Sequence, residues 1–292
     1  MTRGRILGAI VGVAAAAIVA HAQGQGAKPQ QPLEIEKVTG NLHVITGNGG
    51  NVAVYVANDG VVLVDTKLAN NGQQILDRVK SVTDKPITHI INTHTHGDHV
   101  GSNSFFPATV EIVAHENTAA NMAKMKNFAE AATKHGLPDR TFSDRHTVLS
   151  GTDAIDLYYF GRAHTSGDAF VVFRSMGVLH AGDVFPGPQV PFMDGTNGGS
   201  GVSYPDTLSK AASGIKGIKT VIPGHSAVTN WQAFVDYGEF VREFVSSVQA
   251  SAKAGKTVDE ALADFTPAEK FKSYNMGRAK ANVELIYAEI KK

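Results

Sequence analysis

Thr93-His94-Thr95-His96-Gly97-Asp98-His99 gathers three imidazoles and a carboxylate into residues 94–99, almost directly behind an apolar run at 87–91. Nitrogen and oxygen lone pairs delivered together at the end of a strand are what a bound metal ion requires. In an extended stretch side chains alternate, so His94 and His96 point the same way and reach one ion. A turn at Gly97 then swings Asp98 and His99 toward a second position.

Similar settings recur downstream. His164 stands in Ala163-His164-Thr165-Ser166-Gly167-Asp168, Asp183 in His180-Ala181-Gly182-Asp183, and His225 in Pro223-Gly224-His225. Each follows a strand-like run, at 154–160, 178–181 and 220–222, and ligands at strand ends converge in space although far apart in the chain. The chain has no cysteine, so any metal ligands are His, Asp or Glu. His43, His89, His115, His135, His146 and His180 lack the motif settings and are expected to pack, face solvent or support ligands.

Around these motifs the pattern is that of a two-sheet protein. Runs at 42–45, 51–56 and 61–65 are rich in β-branched residues and separated by Gly47-Asn48-Gly49-Gly50 and Asn58-Asp59-Gly60, which read as turns. Helical spacing follows at 70–82, and the strand at 87–91 comes next. Further helices are expected at 116–135, 205–215, 231–252 and 275–290, and a second strand group at 154–160, 170–173, 178–181 and 220–222. No repeat or linker divides residues 33–292, so one domain with two sheet-containing halves is expected.

Residues 1–22 read as a signal peptide. Arg3 and Arg5 precede an apolar run ending in Ala20-His21-Ala22, a small-x-small cleavage pattern. The run is shorter than the roughly 20 residues needed to span a bilayer, so a periplasmic or secreted protein without a stable membrane anchor is expected. Residues 23–32, rich in Gln, Gly and Pro, read as a flexible lead. The 27 basic and 27 acidic residues cancel and form no long run of one sign. This gives no footprint for nucleic acid or an anionic membrane and favours a small-molecule substrate.

The ordered motif set resembles that of the metallo-β-lactamase superfamily over about residues 35–230. The resemblance implies an α/β fold of the αββα type, two face-to-face sheets with helices outside and metals at one edge. It also implies that His94, His96 and His164 hold one Zn²⁺ ion, that Asp98, His99 and His225 hold a second, and that Asp183 bridges them. Asp65 matches a position that braces the ligand loop. Two zinc ions roughly 3.5–4 Å apart can share a water whose pKa falls toward about 7 and polarise the bond under attack. Asp98 is the candidate to orient that water and pass a proton.

The implied activity is hydrolysis of an ester, lactone, thioester or amide bond, β-lactams included. Dedicated zinc β-lactamases usually lack an aspartate at the Asp183 position, so the site looks more like those of the superfamily's lactonases and glyoxalase II enzymes. An iron-dependent persulfide dioxygenase-like activity is the alternative, and a catalytically idle metal-stabilised binding protein a third reading. The polar segment 194–201 is placed to border the site. Phe185, Phe192 and Tyr204 are candidates for its apolar wall.

Overall fold

Strand residues 61–64, Val-Val-Leu-Val, are all buried because both faces of the strand are covered. Val62 and Val64 point into a core shared with the second sheet, while Val61 and Leu63 meet Ile75 and Val79 of a helix on the outside. The computed structural model describes Met1 and residues 32–291. Of the signal peptide expected at 1–22 and the lead expected at 23–32, all but Met1 and Pro32 lie outside the described residues.

Among the described residues the first sheet has seven strands in chain order: β1 (Glu34–Thr39), β2 (Leu42–Thr46), β3 (Val52–Val56), β4 (Val61–Val64), β5 (Ile87–Asn92), β6 (Glu111–His115) and β7 (Arg140–Phe142). Strands β1 to β4 pair antiparallel, and β4 to β7 pair parallel. The second sheet comprises β8 (Arg145–Val148), β9 (Ile155–Tyr158), β10 (Phe170–Phe173), β11 (Val178–Gly182), β12 (Thr220–Pro223) and β13 (Thr229–Asn230). Among the described residues its β11–β12 pair alone is parallel.

Leu42, Val44, Ile91, Leu157, Val171, Phe173 and Ile222 are among the residues that fill the space between the sheets. Helix α1 (Gly72–Lys80) covers the outer face of the first sheet. The short helices α2 (Gly97–Val100) and α3 (Glu116–Met122) follow β5 and β6. Helices α4 (Tyr204–Gly214), α5 (Trp231–Lys253), α6 (Val258–Asp264) and α7 (Ala279–Ile290) carry the outer core of the second sheet, where Phe234, Phe240, Val283 and Ile286 meet Phe170 and Val172. The layers are therefore helix, sheet, sheet, helix. Among the described residues no helix is long and apolar enough to cross a membrane.

One expected element ends early. The helix expected at 116–135 stops at Met122 and gives way to two single turns, Lys126–Phe128 and Lys134–Gly136. Phe128 turns back onto Val100 and Met122, while His135 Nε2 donates to Ser104 O and Asn103 Nδ2 to Gly136 O. A straight helix would carry these anchors away from the body. The polar edge strands β1, β7 and β8 and the short α6 have too little apolar periodicity to stand out in sequence.

Candidate metal centre

Beyond β4 the backbone turns sharply. Asp65 and Lys67 both have positive φ, 68° and 60°, a region non-glycine residues enter only when the surroundings insist. The turn drives the Asp65 carboxylate under the histidine segment. Its Oδ1 accepts from Thr93 N at 2.8 Å, and its Oδ2 accepts from Thr93 Oγ1 at 2.7 Å and from His99 Nδ1 at 2.7 Å. Asp65 is thus a brace, as expected, with both oxygens engaged although it also lies near His94 and His99.

Three imidazoles meet beside it, each aimed by the hydrogen bond on its other nitrogen. The Thr93 hydroxyl spends its proton on Asp65, so it accepts from His94 Nδ1 at 2.9 Å. His96 Nε2 donates to Asp194 Oδ2 at 2.8 Å, and His164 Nδ1 donates to the Phe192 carbonyl at 2.6 Å. These bonds leave lone pairs on His94 Nε2, His96 Nδ1 and His164 Nε2 in the neutral rings. The last two atoms face each other at 2.8 Å, and His94 Nε2 is buried with no hydrogen-bond partner. Lone pairs turned inward without a proton between them fit a cation at their centre.

The stretch delivering them follows β5, which ends at Asn92, but it bends over residues 93–95 instead of running extended as expected. His94 and His96 converge because one presents Nε2 and the other Nδ1. Gly97 opens α2, as the expected turn does, and carries Asp98 and His99 onto the adjoining position.

Asp183, just past β11, lies between the two groups. Its Oδ2 accepts from His225 Nε2 at 3.1 Å and sits 3.6 Å from His164 Nε2, while Oδ1 is 3.2 Å from His99 Nε2. His225 Nε2 is 3.4 Å from Asp98 Oδ2 and 3.4 Å from His99 Nε2. The donor atoms of His94, His96, His164 and Asp183 all lie within 4.8 Å of one another, as do those of Asp98, His99 and His225. All seven residues singled out in the sequence therefore meet. Close backbone approach permits it: a Cβ on Gly50 would collide with the His99 ring, and one on Gly224 with Asp183 Oδ1.

The electrostatics differ across the cluster. Burial, reinforced by His99 and His164, holds the His94 pKa well below its ordinary value, and burial lowers that of His164 as well. Burial opposes charge on His99 too, but Asp183 and Asp65 outweigh it and raise its pKa well above the ordinary value. Burial likewise works against ionised Asp183, yet the neighbouring histidines, His99 foremost, hold its pKa well below the usual range. Beneath the loop Lys67 is fully buried and donates to Gly50 O at 2.7 Å; burial pushes its pKa down to about 7 against the pull of Asp65 and Asp98.

The "Metallo-beta-lactamase superfamily" model matches residues 45–225, more than half of the 292-residue chain, and its limits enclose every residue of the cluster. This chain belongs to the metallo-β-lactamase superfamily. A metallo-β-lactamase type 2 of Bacteroides fragilis is 23% identical over 201 residues, covering 68% of this chain and 77% of the relative. Among solved structures, a metallo-β-lactamase from Pontibacter korlensis aligns with TM-score 0.62 and 20% identity, covering 72% of this chain and 99% of its own. A sec-alkyl sulfatase aligns with TM-score 0.75 and 13% identity over 88% of this chain and 50% of its own.

Several residues at the site stand outside the sequence motifs. Asp194 lies in the segment placed at the border, but its bond to His96 was not foreseen; the Asp-Gly-Thr-Asn turn, in which its side chain caps Thr196 N and Asn197 N, was the available signal. Asn282 of α7, 1% exposed, donates from Nδ2 to Pro191 O at 2.6 Å and accepts from Met193 N at 3.3 Å. It clamps the peptide whose Phe192 carbonyl aims His164. No local pattern announces either contact. Of the three aromatic candidates only Phe192 lines the cavity over the cluster, a space of about 750 Å³. Phe185 and Tyr204 are core residues, and the Tyr204 hydroxyl donates to Asp183 O at 3.1 Å. The six histidines expected outside the cluster belong to none of its donor groups; His180 donates to Asn51 O at 3.1 Å and His115 caps α3.

Proposed function

We propose that the chain is an exported dinuclear zinc hydrolase acting on a small ester, lactone, thioester or amide. The observation that carries this reading is the inward set of lone pairs on His94, His96 and His164, adjoined through Asp183 to Asp98, His99 and His225. Nitrogen and carboxylate donors without sulfur suit Zn²⁺. Two bound zinc ions would supply Lewis acidity and bring the pKa of a shared water toward about 7.

The residues of the chain divide the remaining work. Asp183 would place negative charge between two bound cations and so offset their repulsion. Asp65, Asp194 and the Phe192 carbonyl fix His99, His96 and His164 in one tautomer each. Asp98 has a side chain 30% exposed and lines the cavity, so its carboxylate can orient an attacking water and take its proton. Phe192 and Pro186 exclude water from one wall.

The test is to measure metal identity and stoichiometry on the purified protein, then turnover of lactones, thioesters, β-lactams and phosphodiesters. Two zinc ions per chain and hydrolysis of one class are expected. Bound iron with oxygen consumption on a persulfide, or two bound ions with no turnover on any class, would overturn the reading. Export is tested separately, by the N-terminal residue of protein recovered from the periplasm or medium; Gln23 is expected.

A further inference from the structure

We propose that Arg278 holds an anionic group of the substrate, such as a carboxylate, at the end of the cavity away from the bond being cut. This rests on the hydrolase reading and names the substrate class for it. Arg278 immediately precedes α7, beyond the segment matched to the superfamily, yet it lines the same cavity as His96, Asp98, Asp183 and His225. Those four belong to the donor cluster. Among the described residues Arg278 is the only other charged side chain on the wall, and Gln189 the only neutral polar one.

Its geometry suits a bound anion. The guanidinium carbon lies 4.4 Å from the centre of the Phe192 ring, and that ring stacks on His96 at 5.6 Å. A cation–π contact restrains the guanidinium while leaving its N–H groups free, and those are arranged to grip an oxyanion with two parallel hydrogen bonds. Among the described residues no acidic side chain pairs with it.

The platform is built in. Val190 N donates to Asn275 O at 2.9 Å and Asn275 N to Pro188 O at 3.1 Å, so the segment before α7 is stitched to the loop bearing Phe192. Leu68, an exposed residue at 46%, Pro186 and Phe192 supply the apolar surface of the cavity. The substrate that fits has an apolar body, a hydrolysable bond over the cluster and an anion on Arg278.

The proposal is tested on the zinc-loaded full chain by calorimetric binding of 4-phenylbutyrate and its uncharged amide, 4-phenylbutyramide. Wild type is expected to bind the carboxylate roughly tenfold more tightly, as a charge-assisted hydrogen bond allows. Arg278→Met removes that preference without changing zinc content, and Arg278→Lys keeps part of it. Equal affinities in wild type overturn the proposal. So does a preference that survives in Arg278→Met, because the anion then sits on the metals. Absence of turnover on every substrate class defeats the hydrolase reading and leaves the calorimetric result to stand by itself.

Discussion

The two halves of the cluster are built differently. Around His94, His96 and His164 every ring is aimed by a partner, and the His94 and His164 side chains are each close to fully buried. Around Asp98, His99 and His225 only His99 is comparably held, and the Asp98 and His225 side chains are 30% and 32% exposed. The first group is a preformed pocket in which burial lowers the pKa of His94 and of His164. The second faces the cavity, and the pKa of its central ring, His99, is raised against burial by Asp183 and Asp65 on either side of it. Rigidity at one position and access at the other is the division expected where one ion anchors and its neighbour works on substrate.

Removing what the halves share is the severest way to break this contrast. Asp183→Ser is expected to lose metal from both positions at low zinc and to lower turnover roughly a thousandfold, the several kcal/mol that metal-assisted charge stabilisation supplies. Excess zinc restores only part of the activity, because the spacing is disturbed too. A zinc titration of the metal-free variant, following occupancy and turnover together, checks both; wild-type binding and rate would show that Asp183 does not bridge.

Single ligands sharpen it further. His164→Ala is expected to release the tightly held ion, whereas His225→Ala releases the weaker one, and both leave the circular dichroism of the fold unchanged. Competition with a chelator of known affinity reads the order. If His225→Ala costs the tighter ion, the assignment of anchor and working position is reversed.

Protons separate the halves by a smaller margin. A ring whose pKa is raised must shed its proton before it can ligate, so affinity at the second position is expected to climb with pH, up to about tenfold per unit, until pH passes the raised His99 pKa. The first position, with His94 and His164 already neutral near pH 7, should show little such slope. Calorimetry in two buffers of different ionisation enthalpy counts the protons released at each step. Equal release at both steps would erase the distinction.

The mildest probe is Asn282→Leu, which touches no ligand. Freed from its clamp, the Pro191–Met193 peptide aims His164 less well, and a loss of about tenfold in metal affinity at the first position is expected, the usual scale for partners behind a ligand. Asn282→Asp, which can still accept from Met193 N, should recover part of it. Cobalt substitution, with the visible spectrum as readout, distinguishes a reoriented ring from general destabilisation.

The seven clustered residues were legible because each sits in a short motif at a strand end, and the sandwich was legible because doubly covered strands such as β4 and β10 read as unbroken apolar runs. What stayed hidden acts across the chain. Asn282 meets a backbone carbonyl 91 residues away, and Asp194 meets a ring 98 residues away. Such partners are chosen by three-dimensional proximity, and an asparagine on an otherwise apolar helix face carries no mark of the contact. The shortened α3 was hidden for the same reason, since the contacts of Phe128 and His135 with residues 100–104 override a helix-compatible sequence.

The cluster also draws on both sheets: His94 follows β5 of the first, and Asp183 and His225 follow β11 and β12 of the second. A metal ion there would rivet segments as distant as His99 and His225, 126 residues apart, in a chain that has no cysteine to cross-link them. Loops of that length are where a tie restricts the unfolded chain most. An ion that binds only the folded form adds its binding free energy to stability. Stripping a bound metal would therefore loosen the seam between the sheets, so that the endurance of this protein would follow the metal supply of its surroundings.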